Sequence, residues 1–64
     1  MNIENLKEVI LWQTEKMKND GFTNDRIEEI NISTVNSAKR EYKLTEQQFN
    51  ELKNYGKEQI RKSK

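Results

Sequence analysis

The chain contains no cysteine, no histidine and no proline, and only two of its 64 residues are glycine. Without cysteine it has no disulfide framework, no thiolate nucleophile and no cysteine-based zinc site. Without histidine it lacks the commonest general base and the commonest metal ligand. We therefore expect no catalytic residue, no metal ligand and no cofactor, and we expect that the protein is not an enzyme.

Long apolar runs and phosphate-binding loops are also missing. The longest unbroken apolar run is Val9-Ile10-Leu11-Trp12, which is too short for a membrane span or for the core of a signal peptide. No glycine-rich phosphate loop occurs in the sequence. Neighbouring carboxylates such as Glu28 and Glu29 point about 100° apart on a helix and do not converge on one site. These features predict a cytoplasmic protein with no membrane partner and no small-molecule substrate.

Length and charge favour a single small domain that binds something else. Sixty-four residues form one domain, 1–64, near the lower limit of independent stability, so self-association or a protein partner is expected. Charged residues make up 36% of the chain, yet the net charge is only +1. The charge is uneven, because residues 33–64 hold eight basic and four acidic side chains. This basic half could face phosphates or an acidic surface of its own neighbour.

Apolar spacing predicts an all-α fold, a small bundle of three to four helices. The expected helices span about residues 3–19, 23–30, 34–43 and 45–61, and residues 61–64 are expected to form a frayed basic tail.

The ends of the helices carry recognisable signals. Gly21 suits a left-handed cap after the first helix, and Thr23 suits the start of the second. Thr45 and Gln48 match a capping box at the start of the last helix. Gly56 within that helix either allows close approach of another helix or lets the last turns fray, and we expect fraying.

Residues 21–44 resemble a helix-turn-helix region. Their first part, GFTNDRIEEINISTV, is similar to the pattern G-x-S/T-x-x-x-I-A-x-x-L-x-I-S-x-x-T-V of sigma-factor, response-regulator and recombinase families. The resemblance implies a turn at Asn31 and Ile32 and a recognition helix in the major groove of DNA. It implies DNA contacts from the following residues of that helix: Asn36, Ser37, Lys39, Arg40 and Lys43.

The spacing and charge of this segment depart from the family pattern. Ile27 and Val35 are eight residues apart, whereas the family spacing is about eleven. Glu28 stands where the family has alanine, and the first helix carries acidic residues that would repel phosphates.

The competing interpretation keeps the helices and assigns them to protein binding. Leu11 lies away from the main apolar stripe of the first helix, and Trp12 borders it. These two residues and Tyr55 are the candidate partner-binding residues, since tryptophan and tyrosine are enriched at interface hot spots. Alternatively, Val9, Leu11 and Trp12 all belong to the core of a central first helix.

We therefore expect a small regulatory protein, an inhibitor or adaptor, that binds another protein or itself, with DNA binding as the alternative. Abundant lysine, asparagine, glutamate and isoleucine are typical of AT-rich genomes and favour a source in a low-GC bacterium, its phages or its plasmids.

Overall fold

A computed structural model describes residues 3–62 of the chain. These residues form three α-helices and no strand: α1 (Ile3–Asn19), α2 (Asn24–Tyr42) and α3 (Glu46–Lys62). Each helix packs against the other two. The predicted small all-α bundle is therefore confirmed, with three helices.

The predicted break near Asn31 is wrong. The segments expected at 23–30 and 34–43 are parts of one continuous helix, α2, so the described chain has neither a turn at Asn31 nor a separate recognition helix. Asn31 is only 3% exposed and lies on the inner face of α2. The hydroxyl of Thr34 donates to the carbonyl of Ile30 one turn earlier in the same helix. Packing has overridden the weak helix propensity of these polar and β-branched residues.

The connection between α1 and α2 has the expected caps. Gly21 has a left-handed backbone with φ of 88°. The N–H groups of Gly21 and Phe22 donate to the carbonyls of Lys18 and Met17, a Schellman motif that satisfies the end of α1. The hydroxyl of Thr23 then accepts from the backbone N–H of Arg26 and starts α2.

The connection between α2 and α3 contains the predicted capping box and one unpredicted feature. The backbone N–H of Thr45 donates to the side chain of Gln48, and the N–H of Gln48 donates to the hydroxyl of Thr45. The N–H groups of Lys43 and Leu44 both donate to the carbonyl of Lys39. Lys43 adopts a left-handed conformation with φ of 53°, which is unfavourable for a residue with a side chain.

The core consists of two apolar clusters. The larger contains the buried residues Ile10, Val35, Ala38, Leu44 and Leu52, with Ile3, Leu6, Phe49 and Tyr55 packed against it. The smaller contains Met17, Ile27 and Ile60, with Ile30 packed against it.

A buried layer with one residue from each helix lies between the two clusters: Thr14, Asn31 and Gly56. The amide nitrogen of Asn31 donates to the hydroxyl of Thr14 at 2.9 Å. The amide oxygen of Asn31 accepts from Gln13 at 2.7 Å. A β-carbon built on Gly56 would lie 3.6 Å from the β-carbon of Asn31. Gly56 is therefore a position of close helix approach, and the expectation that it frays the helix is wrong.

The last helix extends further than expected. Arg61 and Lys62, which we expected in a frayed tail, belong to α3. Residues 63 and 64 of that predicted tail lie outside the described residues.

Candidate functional site

Trp12 lies on the outer face of α1, and 63% of its surface is exposed to solvent. Ile10 and Thr14, two residues away on either side, are fully buried. Two residues correspond to about 200° of helix rotation, so Trp12 points away from the core. Val9, one turn earlier, is 46% exposed. The core interpretation of Val9 and Trp12 is therefore wrong.

The neighbours of Trp12 form two columns along α1. Glu8 and Glu15 are seven residues apart, as are Val9 and Lys16, and seven residues make almost two complete turns. Glu8 and Glu15 consequently lie on one side of Trp12, and Val9 and Lys16 lie on the other. All five side chains are exposed, and we call them the Trp12 surface.

The charges of the Trp12 surface are available to a partner. Within residues 3–62, Glu8, Glu15 and Lys16 make no ion pair. A shallow depression lined by Trp12, Glu15, Lys16 and Asn19 continues the surface toward the end of α1. Only Trp12 and Val9 of this surface stand out in the sequence by residue type, although spacings of three and four residues from Trp12 identify the rest.

Leu11 and Tyr55 lie on a different edge from Trp12. Leu11 is half-buried and follows Lys7 by one turn on the side of α1 that faces α3. The ammonium of Lys7 lies 5.6 Å from the ring centre of Tyr55 and pairs with Glu51 at 2.8 Å. The hydrogen bond to Glu51 raises the pKa of Lys7 above its ordinary value. Tyr55 itself packs against the larger core cluster, so it contributes to the fold of the monomer.

Most of the predicted DNA-binding residues share the exposed face of α2. Asn36, Ser37, Lys39 and Arg40, together with Ser33, line one open depression on this helix. Lys43 follows the helix in its left-handed cap. The structure therefore brings four of the five residues together, on a helix that lacks the expected turn.

Lys39 is engaged within the chain. Its ammonium pairs with Glu46 at 3.2 Å and lies 4.3 Å from the ring centre of Phe49. Lys53 approaches the same ring at 4.7 Å. Among the described residues, Arg40 makes no ion pair and is exposed.

The described part of the chain has no helix of the length and apolarity required to cross a membrane. Between residues 3 and 62, no three acidic side chains come together in a way that could hold a metal ion. Comparison of the chain with protein families, with curated proteins and with solved structures finds no match.

Proposed function

We propose that this chain is a small non-enzymatic regulatory protein, an inhibitor or adaptor, that acts by binding another protein through the Trp12 surface. The observation that carries the proposal is the 63% exposure of Trp12 on the face of α1 opposite the core. Tryptophan is among the residues that most often dominate binding energy at interfaces. A partner that covers Trp12 and Val9 would bury their apolar surface, which stabilises the complex by about 25 cal/mol per Å² buried.

The packing of α1 supports a binding role for Trp12 because the fold does not use it. Ile10, Thr14 and Met17 supply the buried face of this helix. An indole that contributes little to the core gains little free energy from folding. Its burial by a partner therefore adds apolar contact that the monomer does not make.

DNA binding through the outer face of α2 is the second candidate. The shared depression lined by Asn36, Ser37 and Arg40 favours it. Two observations weaken it: Lys39 pairs with Glu46, and α2 is a single helix with no preceding turn to position it on DNA. Protein binding is consequently the better supported function.

Affinity capture followed by reconstitution tests the protein-binding function. The tagged chain, its Trp12→Ala variant and its Tyr42→Ala variant are used to capture proteins from the cells that encode it. Tyr42 is the matched control, since it is an aromatic residue 41% exposed at the end of α2. A captured protein is then purified and its Kd for each variant is measured by calorimetry.

The expected result is a loss of about 30-fold in affinity for Trp12→Ala, equivalent to roughly 2 kcal/mol, with Tyr42→Ala unchanged. If wild type and Trp12→Ala bound the captured protein with equal Kd, the proposal would be wrong. Sedimentation equilibrium with mixed duplex DNA at low and physiological salt tests the alternative. Salt-sensitive binding that Lys39→Gln and Arg40→Gln weaken would favour DNA.

A further inference from the structure

We infer that the segment recognised by the Trp12 surface is a positively charged amphipathic helix that carries arginine. This inference rests on the proposed function and specifies the chemistry of the partner. It is carried by the exposed indole of Trp12 together with Glu8 and Glu15, which lie on one side of it without an ion pair inside residues 3–62.

The spacing of the two carboxylates indicates a helical partner. Glu8 and Glu15 are seven residues apart, which is about 10.5 Å along the axis of α1. A partner helix packed alongside α1 presents basic side chains at the same interval when they too are seven residues apart. Such a helix would pair with both carboxylates at once.

The indole between the carboxylates favours arginine over lysine in the partner. A guanidinium stacks on the face of an indole and at the same time donates two parallel hydrogen bonds to a carboxylate. Lysine offers a compact ammonium that does not combine these contacts in one plane. Glu8 and Glu15 lie one turn from Trp12 on either side along α1, within reach of a side chain stacked on it.

The second column predicts the other side of the partner helix. Val9 provides apolar contact, and Lys16 at the far end of this column repels a cation placed there. The partner therefore presents an apolar column toward Val9 and its basic column toward Glu8 and Glu15. That combination defines a basic amphipathic helix.

A synthetic probe tests this chemistry on the intact chain. The probe is an alanine-based helical peptide with two arginines seven residues apart and a leucine column beside them. Two comparison peptides carry lysine or glutamate in place of the arginines. Trp12 is the only tryptophan of the chain, so its fluorescence reports directly on contact at this surface, at low and at physiological salt.

The arginine peptide is expected to bind and to shift the emission of Trp12 to shorter wavelength, more tightly than the lysine peptide. The glutamate peptide is expected not to bind. Replacing both carboxylates, Glu8→Gln with Glu15→Gln, should raise the Kd about fivefold and reduce its salt dependence, since exposed ion pairs are individually weak. The control, Glu41→Gln with Glu58→Gln, changes exposed glutamates on α2 and α3, of which Glu58 pairs with Lys62, and it should leave the Kd unchanged.

Three results would overturn the inference: no binding of the arginine peptide up to millimolar concentration, equal binding of the glutamate peptide, or no effect of the Glu8 and Glu15 changes. Concentration-dependent self-association of the chain through Trp12, measured by sedimentation without peptide, would also overturn it by making a second copy the occupant. The proposed function is judged separately by the captured protein. It stands if Trp12→Ala weakens that protein's binding, whatever the peptides do.

Discussion

The side-chain amide of Asn31 on α2 donates a 2.9 Å hydrogen bond to the hydroxyl of Thr14 on α1, inside the core. Gln13 donates to both Asn31 and Thr34, which extends the contact to the rim of the interface between α1 and α2. No buried side-chain nitrogen or oxygen in the described part of the chain lacks a partner. A slip of one helix along the other would break these bonds, so we expect them to fix how α1 and α2 are aligned.

Replacing Asn31 with alanine is expected to destabilise the protein by roughly 1–3 kcal/mol, because the substitution removes the partner of the buried Thr14 hydroxyl. The free energy of unfolding from urea denaturation, followed by circular dichroism, checks this. Asn36→Ala, an exposed change on the same helix, is the control and should stay within about 0.5 kcal/mol of wild type. Equal effects of the two changes would contradict a structural role for the Asn31 bonds.

Two substitutions at Gly56 should have opposite effects. A β-carbon there would meet Asn31 and Ile10 at 3.6–3.7 Å, which is ordinary contact. Alanine should therefore fit and stabilise the helix by up to about 1 kcal/mol, whereas leucine should overpack the layer and destabilise by about 1–3 kcal/mol. Thermal and urea unfolding of both variants decides the matter. A stabilising leucine would show that Gly56 is not packed against α2.

Glycine in place of Lys43 should stabilise the protein by roughly 0.5–1 kcal/mol. The backbone of Lys43 is left-handed, with φ of 53° and ψ of 50°, and glycine adopts this conformation without the penalty of a β-carbon. Lys43→Ala removes the same charge but keeps the β-carbon, so it should not stabilise. If both variants gained equally in urea unfolding, the effect would come from charge and not from the backbone.

Trp12→Ala should leave the free energy of unfolding within about 0.5 kcal/mol of wild type, since Trp12 is outside the core. Ile10→Val, a much smaller change at a buried position on the same helix, should cost about 0.5–1.5 kcal/mol. Circular dichroism in urea measures both, since the alanine variant has no tryptophan to follow. A larger loss for Trp12→Ala than for Ile10→Val would show that the indole supports the fold.

The ends of the helices could be predicted because their chemistry is local. Thr23, Thr45 and Gln48 bond to backbone or side-chain groups three residues away, and Gly21 closes α1 through bonds to the preceding turn. Such signals lie within a few residues of sequence and need no knowledge of the rest of the fold.

The continuity of α2 could not be predicted in the same way. A polar Asn31 followed by Ile32, Ser33 and Thr34 has the composition of a helix break. Its partners Gln13 and Thr14 are seventeen or eighteen residues away. Only their position across the bundle makes a buried asparagine compatible with an unbroken helix.

Only part of the candidate site could be predicted from the sequence. Trp12 was identified by residue type, but its exposure depended on which residues complete the inner face of α1. Ile3, Leu6, Ile10 and Met17 share that face, and at about 100° per residue Trp12 lies about 150° from it. The expectation that Trp12 borders the apolar stripe is therefore wrong. Glu8 and Glu15 became part of the site only once Trp12 was known to face outward.

Short-range bonding and periodicity are enough to predict that the chain is helical and where α1 and α3 begin and end to within a residue. They also predict the cap at Gly21 and the capping box of Thr45 and Gln48. Tertiary packing is needed to explain three further features: the continuity of α2, the helix contact at Gly56 and the exposure of Trp12. Each of these features depends on contacts between residues far apart in the sequence. Asn31 bonds to α1 and so keeps α2 continuous, and α3 approaches Asn31 at Gly56. Ile10, Thr14 and Met17 fill the inner face of α1 and leave Trp12 outside.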